Sequence, residues 1–189
     1  AGFLFPAFDD RATNLYGALY YTKNSGEVHP ELVEALFRQD APMAADAQKE
    51  TFQSVLAVAL EDACDYQVVQ AVHDQLSGMV QANKENKDEA PLTVSRSTVE
   101  RVLQDQGVPQ DRVEEFSREF DRQFGEEAEL SPRNIVSAGQ TELKTPDVRI
   151  QVNPERGDLV ETRIIDGARY ILIRAEESVE VNGVPISIR

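Results

Sequence analysis

The sequence predicts an α+β fold: an N-terminal β-hairpin with a helical hairpin, then a helix pair and a C-terminal antiparallel β-meander. Apolar residues recur at spacings of three and four through the middle of the chain, which is typical of amphipathic helices. Beyond Lys144 the period changes to alternation, which is typical of strands. The dipeptides Asp166-Gly167 and Asn182-Gly183 favour type I′ hairpin turns between the last strands.

Residues 1–21 contain the predicted N-terminal hairpin. The runs 3–8 and 15–21 are rich in aromatic and aliphatic side chains, and the polar stretch 9–14 separates them. Pro6 has no N–H to donate, so the first strand is expected to lie at a sheet edge or to carry a bulge.

Helices are predicted over most of the following residues. His29 and Pro30 open a short helix through Phe37, Pro42 breaks the pattern, and a second helix starts near Ala45. Its buried face is predicted to be Phe52, Val55, Leu56, Ala59 and Leu60. Asp65 is a candidate N-cap for a third helix, which completes a helical hairpin. Its predicted face is Val69, Val72, Leu76, Met79 and Val80.

The charged stretch 84–91 is the best candidate linker because it has one small apolar residue and ends in proline. The expected division is 1–90, a hairpin plus helices, and 91–189, a helix pair plus an antiparallel sheet. One compact unit is the alternative.

A second helical pair is predicted after this linker. Residues 97–100 read Ser-Thr-Val-Glu, the pattern of a capping box. Gly107 ends that helix, Pro109 suits the first turn of the next, and Gly125 ends it. The apolar face of the second helix is Val113, Phe116, Phe120 and Phe124.

The net charge of −15 is spread over both halves of the chain. Nucleic acids and anionic membranes attract Lys and Arg clusters, and no such patch is present, so neither is an expected partner. The acidic second helix of the 97–125 pair also argues against a DNA-reading role. A single cysteine, Cys64, excludes an intramolecular disulfide and favours a reducing compartment, so the expected location is the cytoplasm.

Cofactor and metal motifs are not recognisable, and none is expected. The ten glycines form no phosphate-binding constellation, and one cysteine with two histidines is too few for a closed zinc site. His73 and Cys64 are interpreted as a residue flanking the core and a buried, inert thiol.

Asp9, Asp10 and Arg11 are the candidate binding residues. They lie at the turn of the first hairpin, where two carboxylates can bind a hydrated cation and a guanidinium can bind an anion. The simpler interpretation is that Asp favours turns and that Arg11 neutralises the two acids.

Five runs carry a resemblance to a known family: GFLFPAF at 2–8, ALYYTK at 18–23, QKETF at 48–52, KTPDV at 144–148 and VEVNG at 179–183. The chain resembles the C-terminal region of an uncharacterised family of longer bacterial proteins, a domain of unknown function. The resemblance implies a missing N-terminal region and supplies no activity.

Two functions follow as hypotheses. The first is a non-catalytic binding or assembly module of a larger bacterial cytoplasmic protein, which acts through its aromatic hairpin face or its sheet edges. The second is part of an enzyme of unfamiliar type, in which Asp9, Asp10 and Arg11 are completed by the missing region or by another subunit. The absence of catalytic motifs favours the first. The expected partner is another protein or the N-terminal region, and exposed sheet edges also permit a homodimer.

Overall fold

The computed structural model describes residues 1–9, 12–15, 18–24, 26–86, 92–137, 141–176, 179–181 and 183–187. The chain divides into two compact units, Ala1–Ala138 and Gly139–Arg189. The first is mainly helical, and the second consists of β-hairpins. The α+β class and the N-terminal hairpin predicted from the sequence are confirmed.

The N-terminal hairpin consists of two short antiparallel strand pairs. Strand β1, Gly2–Leu4, pairs with β4, Leu19–Tyr21, while β2, Ala7–Asp9, pairs with β3, Ala12–Asn14. Phe5 and Pro6 separate β1 from β2, so the strand is interrupted where proline predicts an irregularity.

Helices α1, Pro30–Phe37, and α2, Ala45–Leu60, begin where the sequence predicts. All five apolar residues of the predicted α2 face are less than 10% exposed. Their spacing of three and four therefore identifies the core side of this helix correctly.

Helix α3 spans Tyr66–Asn86, and Asp65 caps it as predicted: the Val68 amide donates to Asp65 Oδ1 at 2.9 Å. One predicted core position is wrong. Val68 is 5% exposed, whereas Val69 is 44% exposed. The buried positions repeat every four residues, with Val72, Leu76 and Val80 following Val68, and Val69 is displaced by one residue from that row.

The predicted capping box at 97–100 is wrong. Strand β5, Val94–Ser95, leads directly into helix α4, Arg96–Asp105, with Ser95 as the N-cap residue. Ser97 therefore lies inside the helix. Glu100 accepts a hydrogen bond from the Ser117 hydroxyl at 2.6 Å and pairs with Arg96 instead of capping the backbone.

Gly107 ends α4 as predicted. It has φ of +74°, its amide donates to the Gln104 carbonyl at 2.9 Å, and the Val108 amide donates to the Leu103 carbonyl at 3.0 Å. These two backbone hydrogen bonds form a Schellman motif, which requires the left-handed backbone that glycine adopts most easily.

Helix α5 spans Gln110–Phe124, with Pro109 just before it. Phe116 and Phe120 are fully buried, with ring centroids 5.8 Å apart. Phe124 continues the row at 5.0 Å from Phe120 and is partly buried. The predicted apolar face is therefore confirmed.

The first unit has one main hydrophobic core, formed by α2, α3, α4 and α5. Strand β6, Glu129–Leu130, pairs with β5, and the short helix α6, Pro132–Ile135, packs on α2. The boundary predicted near residue 90 thus falls within this unit, because α5 packs against α2. Residues 87–91 themselves lie outside the described residues. The side chains with no exposed surface are Ala59, Leu60, Leu103 and Phe116.

The second unit is a series of three antiparallel hairpins among its described residues. Strands β7, Thr141–Lys144, and β8, Arg149–Val152, form the first. Strands β9, Val160–Ile165, and β10, Ala168–Ile173, form the second. Strands β11, Val179–Val181, and β12, Val184–Ile186, form the third. The antiparallel prediction is confirmed, and β7 is an additional strand.

The predicted turn at Asp166-Gly167 is present between β9 and β10. Asp166 has φ of +50° and Gly167 has φ of +80°, the signs that a type I′ turn requires. At the third hairpin, Gly183 has φ of +79°, while Asn182 lies outside the described residues.

The Asp65 cap can be tested with a matched pair of aspartates. Asp65→Ala should lower the free energy of unfolding by about 1 kcal/mol, because the Val68 amide loses its acceptor. Asp62→Ala, at an exposed position nearby, should change it by less than about 0.5 kcal/mol. Urea denaturation measures both. Equal losses in the two variants would contradict the capping role.

Candidate functional site

The candidate binding residues at the hairpin turn are only partly described. Asp9 is the last residue of β2 and lies opposite Ala12, and only its backbone is described. Asp10 and Arg11 lie outside the described residues. The ion-binding role of these three residues stays a prediction.

Cys64 packs against the main core and is partly buried. Burial, together with the neighbouring Asp65 carboxylate, raises the pKa of its thiol. A raised pKa keeps the thiol protonated at neutral pH, so the side chain is a poor nucleophile.

His73 and Lys49 both contact Ser137, a grouping that the sequence did not indicate. The His73 Nε2 lies 3.1 Å from the Ser137 carbonyl oxygen, which accepts its proton in the Nε2–H tautomer. Lys49 Nζ donates to Ser137 Oγ at 2.6 Å. The three residues belong to α3, α2 and the segment after α6, so these bonds hold the end of that segment against two helices.

In the described part of the chain, no group of three His, Cys, Asp or Glu side chains is close enough to hold a metal ion. No polar or charged residue among those described is buried in the core.

None of the described helices combines the length and apolar content needed to cross a bilayer.

An aromatic groove lies between the N-terminal hairpin and α1, with a volume of about 390 Å³. Two contacts hold the hairpin near α1. The Phe3 and Phe37 rings meet edge to face, with their centroids 5.7 Å apart, and the Tyr20 hydroxyl donates to the Val28 carbonyl at 2.8 Å. Gln39 and Asp40 form its polar rim. Its apolar lining is Phe5, Ala18, Tyr20, Val33, Phe37 and Pro42.

The strand register explains how the hairpin makes this groove. Phe3 is paired with Tyr20, so both side chains lie on one face of the β1–β4 pair, the face turned toward α1. Side chains alternate along a strand, which places the neighbouring residues on the opposite face. The hairpin therefore has an inner face at the groove and an outer face.

The outer face of the β1–β4 pair consists of Leu4, Leu19 and Tyr21, with Gly2 beneath the tyrosine. The three side chains are 54%, 60% and 65% exposed. A Cβ atom at Gly2 would approach the Tyr21 ring to 3.3 Å, so glycine lets this ring lie close over β1. The outer face is a contiguous apolar surface on the first unit.

The polar surface of α5 is a set of solvated ion pairs. Arg118 pairs with Glu115 and Arg122 pairs with Glu119, both across one helical turn. Arg96 of α4 pairs with Asp121. These arginines thus form ion pairs with neighbouring carboxylates, which agrees with the interpretation of this face as ordinary surface.

The second unit contains a closed ring of four ion pairs, also not indicated by the sequence. Arg156 pairs with Asp158 at 3.1 Å and with Glu176 at 2.6 Å. Arg174 pairs with Asp158 at 2.8 Å and with Glu176 at 3.1 Å. Hydrogen bonds from Arg156 lower the pKa of both carboxyl groups. The ring joins the segment before β9 to the segment after β10.

Residues 1–184 match the family model described as "Domain of unknown function (DUF4317)". The chain therefore belongs to this family. No curated protein and no solved structure shows significant similarity to the chain.

The ion-pair ring is expected to make a pH-dependent contribution to the stability of the β9–β10 hairpin. Because the carboxyl pKa values of Asp158 and Glu176 are lowered in the folded protein, protonation favours the unfolded state. The stabilisation is present above the ordinary carboxylate range of about pH 4 and is lost as the pH falls through the lowered values. Asp158→Asn should therefore reduce amide protection in β10 at neutral pH and have little effect in acid.

Amide hydrogen exchange measures this effect, and Asp166→Asn in the turn of the same hairpin is the matched control, since an asparagine-glycine turn is equally favourable. The control should retain the protection of the unmodified chain. An Asp158→Asn effect of the same size at acidic and neutral pH would contradict the ionic origin.

Proposed function

We propose that this chain is a non-catalytic protein-binding module of a bacterial cytoplasmic protein, and that it docks through the outer face of the β1–β4 pair. The observation that carries the proposal is the exposure of Leu4, Leu19 and Tyr21 on one side of a two-stranded sheet. Contiguous exposed apolar surface of this kind is typical of interaction sites. The single cysteine, Cys64, is free, which is compatible with a reducing compartment.

The architecture of the hairpin supports the same role. A two-stranded sheet is marginal on its own, and no described strand pairs with the outer edge of β1 or of β4. A partner strand can pair with such an edge while its side chains contact the apolar face. The acidic surface makes this contact selective against nucleic acids and anionic lipids.

The size of the outer face limits what it contributes. Complete burial of a large apolar side chain is worth about 1.5 to 3 kcal/mol, so burying the exposed parts of these three supplies about 3 to 5 kcal/mol. Micromolar binding needs about 8 kcal/mol after the entropy of association has been offset. The outer face therefore acts together with a sheet edge or with a second contact surface.

The proposal predicts that a charge on the outer face removes the partner without unfolding the protein. Leu19→Glu should abolish capture of specific polypeptides by the full-length protein from extracts of its own cells. Val58→Glu, at a position of α2 that is 55% exposed, should leave capture unchanged. Quantitative mass spectrometry of the captured proteins compares the two variants with the unmodified chain.

The folding of both variants is checked by circular dichroism, since substitutions at exposed positions usually change stability by less than about 0.5 kcal/mol. Identical sets of captured polypeptides from all three proteins would contradict the outer face as the docking surface.

A further inference from the structure

The aromatic groove offers a second contact surface on the opposite side of the same hairpin. Its volume of about 390 Å³ lies near the lower end of the range for ligand pockets, about 300 to 1,000 Å³. That space suits one or two bulky side chains. Val33, at its base, is 5% exposed and lies outside the main core, so the groove has its own small apolar floor.

The charges around the groove have one dominant sign. Asp40 lies at the rim, and the described residues that line the groove include no Lys or Arg. No described cation forms an ion pair with Asp40. On α1, the exposed residues Glu31 and Glu34 add two further acids, against Arg38 at the end of the helix. Among the described residues, the acids Glu31, Glu34 and Asp40 thus outnumber Arg38, which shares a surface depression with them, so a ligand that enters the groove meets a net negative rim.

This charge distribution decides between occupants. A second copy of the chain would bring another net charge of −15 to an acidic rim, so self-association here is opposed by repulsion. A polyanion is opposed for the same reason. A partner with a basic residue beside its apolar side chain gains from both the groove and the rim.

On the basis of the proposed function, we infer that the aromatic groove binds a polypeptide segment in which a bulky apolar side chain is followed or preceded by Lys or Arg. The apolar side chain fills the space between Tyr20 and Phe37, and the basic residue pairs with Asp40. The two hairpin faces then act together, which supplies the contact that the outer face lacks.

Selection from a random peptide display library on the purified full-length protein tests this inference. Peptides enriched on the unmodified chain should carry a large apolar residue within two positions of Lys or Arg. Asp40→Lys should remove the basic preference. Asp62→Lys changes the net charge equally at an exposed position that does not line the groove, so it should retain the preference and shows whether the effect is specific to Asp40.

One enriched peptide, synthesised with a fluorescent label, gives the magnitude by anisotropy. Asp40→Lys should weaken its binding about fivefold or more, since an attraction is replaced by a repulsion of similar size. Added salt should weaken binding to the unmodified chain and not to this variant.

Two results would overturn the inference: no peptide enriched over a bare support, or a basic preference unchanged in Asp40→Lys. Either result leaves the proposed function standing if Leu19→Glu still abolishes capture of partners from cell extracts. If Leu19→Glu also has no effect on capture, both the inference and the proposed function fail.

Discussion

The packing of α5 against α2 is the interaction on which the first unit depends. Phe116 and Phe120 are completely buried there, and Leu60 and Ala59 of α2 have no exposed surface either. Truncation of a buried Phe typically costs about 3 to 5 kcal/mol, a large part of the stability of an ordinary domain. This contact joins residues far apart in the sequence, and the packing of α6 on α2 carries the compact unit on to residue 138.

The core of α2 to α5 leaves the N-terminal hairpin with a different physical role. Its aromatic residues pack on α1 in a small cluster outside the main core, around Val33. The outer face at Leu19 then remains open, because no described element of the first unit covers it. The hairpin contacts α1 through one face and leaves the apolar residues of the other face exposed, which is the basis of the proposed function.

Local signals in the sequence identified the elements better than their exact limits. Asp65 caps α3 as predicted, through a bond to an amide three residues along the chain. The capping box failed because the helix begins two residues earlier, directly after strand β5, with Ser95 at the N-cap position. The aromatic hairpin was recognisable as a candidate contact surface, whereas the groove requires the placement of α1. The ring of Asp158 and Arg174 joins separate segments, so no spacing rule predicts it.

The central claim is that the N-terminal hairpin is the docking surface of the chain. Amide hydrogen exchange of the isolated full-length protein, compared with the same protein bound to its captured partner, tests it most directly. We expect new protection at the amides of Gly2–Leu4 and Leu19–Tyr21, with α5 unchanged. Protection confined to α5 or to the hairpins of the second unit would contradict the claim.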